Sequence, residues 1–210
     1  MTRILGKREI NRARKRAEIV AVATRCFFQQ GYGATTMSSI ADNLGGSKAT
    51  LWAHFASKED LFTAVVDYHA DAFAKDVEDS LIARTFSRGA LREACLRFLE
   101  RMLHENAISL YRLVISGGER FPEVNETFYA RGPAKFRRCM VDFFATRFEE
   151  DDALRLTQLV VCAIAGYRSD ILLRPVKPTR AEREAFVDDL LGSIRWPAPG
   201  PDPVAAAEPA

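Results

Sequence analysis

The chain has 210 residues, 48% of them hydrophobic and 28% charged, which supports a buried core and excludes a disordered chain of low hydrophobicity. Its net charge of +2 hides an asymmetry, because residues 1–58 carry ten Lys/Arg against three Asp/Glu while residues 59–210 carry twenty against twenty-five. A basic end on an acidic body points to a polyanionic partner.

No run of ~18 apolar residues stands out, so no membrane span is expected. The first thirty residues are polar and basic without an apolar stretch, so no secretory signal is expected either. Cys26, Cys95, Cys139 and Cys162 form no CxxC-type pattern. That argues against a metal site and for reduced, mostly packed thiols in a cytosol.

Proline punctuates the chain: none of the nine precedes Pro122, and five fall in the last fourteen residues. Long helices are therefore permitted. No segment alternates apolar and polar residues over a strand length, so the predicted class is all-α, with about nine helices.

In chain order, a basic arm over residues 1–11 precedes a first helix from about Arg12 to Gln30, which ends at Gly31. Two short helices follow, about Thr36–Asn43 and Ser47–Phe55, separated by Gly45-Gly46. Ser57 and Asp60 form a capping box that opens a helix to about Ile82. The next helices are expected at about Arg88–His104 and Ile108–Gly117. Another starts near Pro122 and is interrupted at Gly132-Pro133 before continuing to about Phe148. The last two run about Asp152–Leu173 and, from a Thr179/Glu182 capping box, to about Arg195. The Pro/Ala-rich tail over residues 196–210 reads as disordered. The predicted domains are thus the arm over 1–11, a first helical unit over 12–56, a second helical unit over 57–195, and the tail.

The most informative segment is Thr35–Leu61, TTMSSIADNLGGSKATLWAHFASKEDL. Thr36 caps a short helix whose Ile40 and Leu44 face inward, and Ala41 is small where a second helix approaches. The glycines allow a tight reversal with positive φ. Ser47 caps the next helix, which Leu51 and Phe55 anchor at i and i+4. Lys48, Ala49, Thr50, Trp52 and His54 occupy its other faces. Two short helices joined by a glycine turn, the second presenting polar groups at its start, make a helix-turn-helix that reads base edges in the major groove.

On these residues the chain resembles the TetR family of bacterial transcriptional regulators. The pattern runs through Ile19-Val20, Ala23, Phe27, Gly31-Tyr32, Thr35-Thr36, Ile40-Ala41, Ser47, Thr50-Leu51-Trp52, His54-Phe55, Lys58-Glu59 and Leu61. It departs at Gly46, where the family has Val or Ile, and at Trp52, where it has Tyr. The resemblance implies that Thr35, Thr36 and Ser47 sit near phosphates at helix starts. It implies that Trp52, His54 and Lys58 hold the backbone, and that Lys48, Ala49 and Thr50 read bases. The basic segment Arg8, Arg12, Arg14, Lys15 and Arg16 lies along phosphates, in a minor groove, or free as a charged tail.

The stretch Leu110–Phe136, with RFPE and FY-x-x-GP, resembles the C-terminal domain of AefR-like members. That resemblance implies a pocket for a small hydrophobic effector among the central helices. Its candidate lining is Phe98, Met102, Tyr111, Phe128, Phe136 and Tyr167. It also implies a homodimer through the last two helices, which carry Leu156, Leu159, Val160, Ala163 and Ile164, then Phe186, Leu190, Leu191 and Ile194.

The function expected is a ligand-responsive, dimeric repressor on a palindromic double-stranded DNA operator, with no cofactor. The alternative is an activator or a ligand-independent DNA-binding protein on the same fold. A helical enzyme fares worse: His54, His69 and His104 lie in no HExxH context, and no GxSxG, Walker or GxGxxG pattern occurs.

Overall fold

Capping and glycine geometry decide where the helices of this computed structural model begin and end. It describes residues 6–45, 48–81 and 85–200, with no account of the side chains of residues 72–81. Ten helices and no strand occur among the described residues. They group into two compact units, one of Met1–Asp71 with Ile108–Gly132, the other of Ala72–Ala107 with Pro133–Ala210.

In the first unit, α1 spans Lys7–Ala34. It starts five residues before the sequence-based boundary, because the Gly6 amide donates to the Glu9 carboxylate at 2.9 Å and closes the first turn. Residues 7–11 are therefore helix and not an arm. The break expected at Gly31 is present as a kink, with φ 80° and ψ 164° inside the helix. Only glycine occupies that region without strain. Past the kink, Thr36 accepts from the Ser39 amide at 3.0 Å and opens α2, Met37–Leu44. Gly45, left-handed at φ 65°, ends it.

Helix α3 is Lys48–Trp52, five residues long. The Gly46 turn position and the Ser47 cap lie outside the described residues. Helix α4, Lys58–Leu81, opens where the Asp60 amide donates to Ser57 Oγ at 3.0 Å. The core of the unit combines Ile19, Ala23 and Phe27 of α1 with Ile40, Leu51, Leu61 and Val65. Leu110, Leu113 and Val114 of α6 (Glu105–Gly117) and Val124 of α7 (Pro122–Arg131) complete it. Helix α5, which precedes α6 in the chain, is Arg88–Met102 and belongs to the second unit.

That unit also holds α8 (Pro133–Ala145), α9 (Glu150–Leu173) and α10 (Arg180–Ser193). The interrupted helix read from the sequence is two helices, α7 and α8, because Gly132 sits at φ −115° and ψ −83°, outside helical values, ahead of Pro133. Phe98, Met140, Phe144, Leu156, Val160, Ile164, Val187 and Leu191 fill the core.

Helix α9 is long and apolar enough by composition to cross a membrane. Its buried Ala153, Leu156, Val160, Val161, Ile164 and Ile171 lie in the core of the unit, where an apolar helix is equally at home. The tail starts later than expected. Trp196 packs 5.4 Å from Phe86 and 6.1 Å from Phe148, and the Gly200 amide donates to the Arg147 carbonyl at 2.8 Å. Residues 201–210 lie outside the described residues.

Candidate nucleic-acid interface

The surface that α2 and α3 present follows from which side chains the first unit consumes. Leu51 and Phe55 are buried, so they fix α3 against α1, α2 and α4. With that face spent, Lys48 and Ala49 are exposed, and Thr50 and His54 half-buried. Trp52 is 50% exposed, which excludes a core role for this ring. The helix thus offers solvent a cation, a methyl and an indole N–H within two turns, with the half-buried Thr50 among them. Those are groups that pair with guanine acceptors, thymine methyls and phosphate oxygens.

Thr36 is an exposed cap, with its hydroxyl and amide both engaged by Ser39. Ser47, expected beside it, is outside the described residues.

Two predicted contacts are placed otherwise. Thr35 is fully buried, and its hydroxyl donates to the Gly31 carbonyl at 2.7 Å and lies 3.3 Å from that of Cys26. It closes the kink of α1 and has no surface to offer a phosphate. Lys58 is half-buried, and its ammonium donates to the Tyr32 carbonyl at 3.1 Å. That ammonium sits 4.1 Å from the Tyr32 ring centroid and 5.7 Å from that of Phe121. In this arrangement it ties the start of α4 to the end of α1.

The same corner holds a pair that sequence reasoning missed. The Tyr32 hydroxyl donates to Glu59 Oε1 at 3.2 Å. Desolvation, reinforced by the Glu59 charge, pushes the phenol well above its usual range. Glu59 is held below the usual carboxylate range by backbone amide donation first, with Ser57 and Tyr32 adding to it. Arg16 was read only as part of a basic run, yet its guanidinium lies 4.4 Å from the Phe55 ring centroid. Its place three residues before buried Ile19, on the inward side of α1, was the available signal.

The residues expected to line an effector pocket divide between the units. Phe98, Met102, Phe136 and Tyr167 belong to the second, Tyr111 and Phe128 to the first. Phe98 stacks on Phe136 at 3.9 Å, and Tyr167 stacks on Phe186 at 3.7 Å. The second unit carries a cavity of about 450 Å³ of a different kind, lined by Arg92, Arg97, Arg101, Arg180 and Arg183 with Glu93, Glu100 and Glu184.

The expected dimer set also divides. Leu156, Val160, Ile164, Leu191 and Ile194 are buried in the core of the chain itself, which leaves them little surface to offer a partner. The apolar side of α9 was too wide for one purpose, and the core takes most of it. Leu159 is 43% exposed, and Ala163, Phe186 and Leu190 are partly so.

Comparison with known proteins identifies the family. Residues 19–65 match the family described as bacterial regulatory proteins, tetR family. Residues 89–163 match the AefR-like transcriptional repressor C-terminal domain. The chain is 35% identical over 112 residues to the HTH-type transcriptional activator FasR of Mycolicibacterium smegmatis, covering 52% of this chain and 50% of that one. It is 41% identical over 59 residues to the HTH-type transcriptional repressor ComR of Escherichia coli, 28% of each chain. It therefore spans about half, or less, of the length of these curated relatives. A TetR-family regulator from Mesorhizobium loti superposes with a TM-score of 0.70 at 25% identity, covering 87% of this chain and 95% of that one. The flavonoid-responsive regulator FrrA superposes at 0.72 with 24% identity, over 86% and 94%, a likeness of fold. The chain belongs to the TetR family of bacterial regulatory proteins.

Proposed function

We propose that this chain is a cytoplasmic, sequence-specific DNA-binding transcriptional regulator. It acts as a homodimeric repressor that leaves a palindromic operator when a small hydrophobic ligand binds. The observation that carries the reading is α3: a short helix anchored by buried Leu51 and Phe55, with Lys48, Ala49 and Trp52 facing solvent. Lys48, Ala49 and Thr50 read base edges, while Thr36, Ser47, Trp52 and His54 hold phosphates. No step of this activity calls for an enzyme's chemistry.

Dimerisation is assigned to the outward side of α9 at Leu159 and Ala163, with Phe186 and Leu190 of α10 beside it. Two reading helices must then meet major grooves about 34–36 Å apart. A ligand that prefers a different separation weakens binding by its differential affinity, typically ~1–3 kcal/mol. Repression is supported by the AefR-like repressor match over residues 89–163. The activator reading is favoured instead by the 35% identity to FasR.

The test is capture of sheared genomic DNA from the source organism by the purified chain, repeated with a hydrophobic compound library. Enriched fragments that share a two-fold repeat, and a compound that lowers their retention, are expected. Retention no better than for random DNA overturns the reading. The direction of regulation follows from transcript levels of the captured genes with and without the regulator.

A further inference from the structure

Helix α5 carries two stripes. Leu91, Cys95, Phe98 and Met102 turn into the core of the second unit. On another side Arg92, Leu96, Arg97 and Arg101 recur at helical spacing and line the cavity of about 450 Å³. Arg180, Arg183 and Glu184, from the first turns of α10, line it as well. Five guanidiniums therefore share this cavity with three carboxylates, those of Glu93, Glu100 and Glu184. The balance is the reverse of that in residues 59–210 as a whole, where twenty Lys/Arg stand against twenty-five Asp/Glu.

The carboxylates hold the cations in place more than they neutralise them. Glu93 accepts from Arg97 and Glu184 from Arg180, each at 2.7 Å, while Asp188, outside the lining, accepts from Arg92. All three pairs are solvent-accessible, where ion pairs are weak and yield to a competing anion. Arg183 donates to the Pro178 carbonyl at 2.7 Å, which fixes the side chain without setting a carboxylate against its charge. The capping box of Thr179 and Glu182 occupies the start of α10, so the two arginine side chains are what that helix offers an anion. A guanidinium donates two parallel hydrogen bonds to a carboxylate or a phosphate. Because both helices supply such forks, an anion charged at two ends engages both at once. Leu96 and the buried Leu99 add apolar contact for a carbon body between the ends. The volume lies within the ~300–1,000 Å³ of small-molecule sites.

We propose that the groove between α5 and the start of α10 binds a small organic polyanion, one with two or more phosphate or carboxylate groups. Its charged ends bridge Arg97 and Arg101 of α5 to Arg180 and Arg183 of α10. The site is separate from the aromatic residues expected to meet a hydrophobic effector, and it does not depend on that effector.

Isothermal titration calorimetry of the full-length protein at low salt tests this with two probes, pyrophosphate and propane-1,2,3-tricarboxylate, which separate phosphate from carboxylate recognition. Saturable binding of at least one probe, one molecule per protomer, is expected, and it weakens as KCl is raised. R180Q/R183Q is expected to weaken it about tenfold or more, because each lost fork is a charge-assisted contact. K135Q/R138Q removes the same charge from exposed positions of α8 outside the cavity and is expected to change binding less than about twofold. Glu100→Gln takes an anion out of the lining and is expected to tighten binding several-fold, an outcome that damage to the fold does not produce. Absence of saturable binding by both probes overturns the proposal. Equal losses in the two double variants overturn it in favour of diffuse charge, and so does unchanged or weaker binding in Glu100→Gln. Thermal unfolding of each variant without probe is expected within a few degrees of wild type. Should R180Q/R183Q lose its fold, the direction of the change in Glu100→Gln decides. None of these outcomes bears on DNA capture by the reading helix.

Discussion

Lys58 donates to the Tyr32 carbonyl at 3.1 Å, with its ammonium 4.1 Å from the ring centroid of the same tyrosine. One side chain thus clamps the end of α1 to the start of α4, directly after α3. Lys58→Met keeps the stem and removes both interactions. It is expected to cost about 2–4 kcal/mol in urea unfolding, the sum of a charge-assisted hydrogen bond and a cation–π contact. A pure phosphate ligand at this position shows unchanged stability and loses DNA affinity alone.

Gly31 holds φ 80° and ψ 164° within α1, a conformation that strains any side chain. Open space surrounds its Cα, so the penalty is one of backbone and not of collision. Gly31→Ala is expected to destabilise by about 1–3 kcal/mol, read from the denaturation midpoint.

Leu156 and Leu159 separate core from surface on one helix, being fully buried and 43% exposed respectively. Leu156→Ala is expected to cost about 2–4 kcal/mol through the cavity it leaves. Leu159→Glu is expected to change stability little in a monomer and to abolish the dimer in light scattering, because it places a charge in an apolar seam. A persistent dimer mass removes α9 from the interface.

How much of this was legible beforehand depends on what each residue had to reveal. Helix-turn-helix positions Ile40, Leu51 and Phe55 were readable because local spacing alone sends them inward. Thr35 was not, because its burial depends on the kink at Gly31 presenting two carbonyls to its hydroxyl. The intrachain contacts of Lys58 were not legible either, because only tertiary folding brings Tyr32 and Phe121 under its ammonium. The wide apolar side of α9 was visible, but its division between core and surface needs the positions of α5, α8 and α10. Trp196 was lost in a proline-rich tail, although a lone tryptophan there is a reasonable anchor for the Phe86 and Phe148 rings.

Arg92 meets Asp188 through two donations, at 2.5 and 2.8 Å, joining α5 to α10. The guanidinium holds the Asp188 carboxyl below its ordinary value of 3.8. A depressed folded-state value contributes stability above the unfolded value, and that contribution is lost as pH falls through the folded one. The stability gap between wild type and Asp188→Asn is therefore expected to be constant from neutral pH to about pH 5 and to close below pH 4. The pair is exposed, so the gap is small, and unfolding curves of both proteins across that range measure it.

Burial pushes the Cys95 thiol up to about 12, and Cys26 also upward. Neither forms thiolate at pH 8, and both are shielded. Mass spectrometry after brief alkylation of the native protein is expected to find label on Cys162 and then Cys139. Cys26 and Cys95 take label only in denaturant.

The central claim is that α3 reads DNA sequence through its first residues, and selection from a random duplex library tests it most directly. Wild-type protein is expected to enrich one motif with two-fold symmetry, its half-sites about one helical turn apart. Lys48→Ala is expected to enrich the same motif with one position per half-site relaxed, a loss of about 1–3 kcal/mol in discrimination there. Failure of the wild-type protein to enrich any motif, or an unaltered motif with Lys48→Ala, contradicts the account.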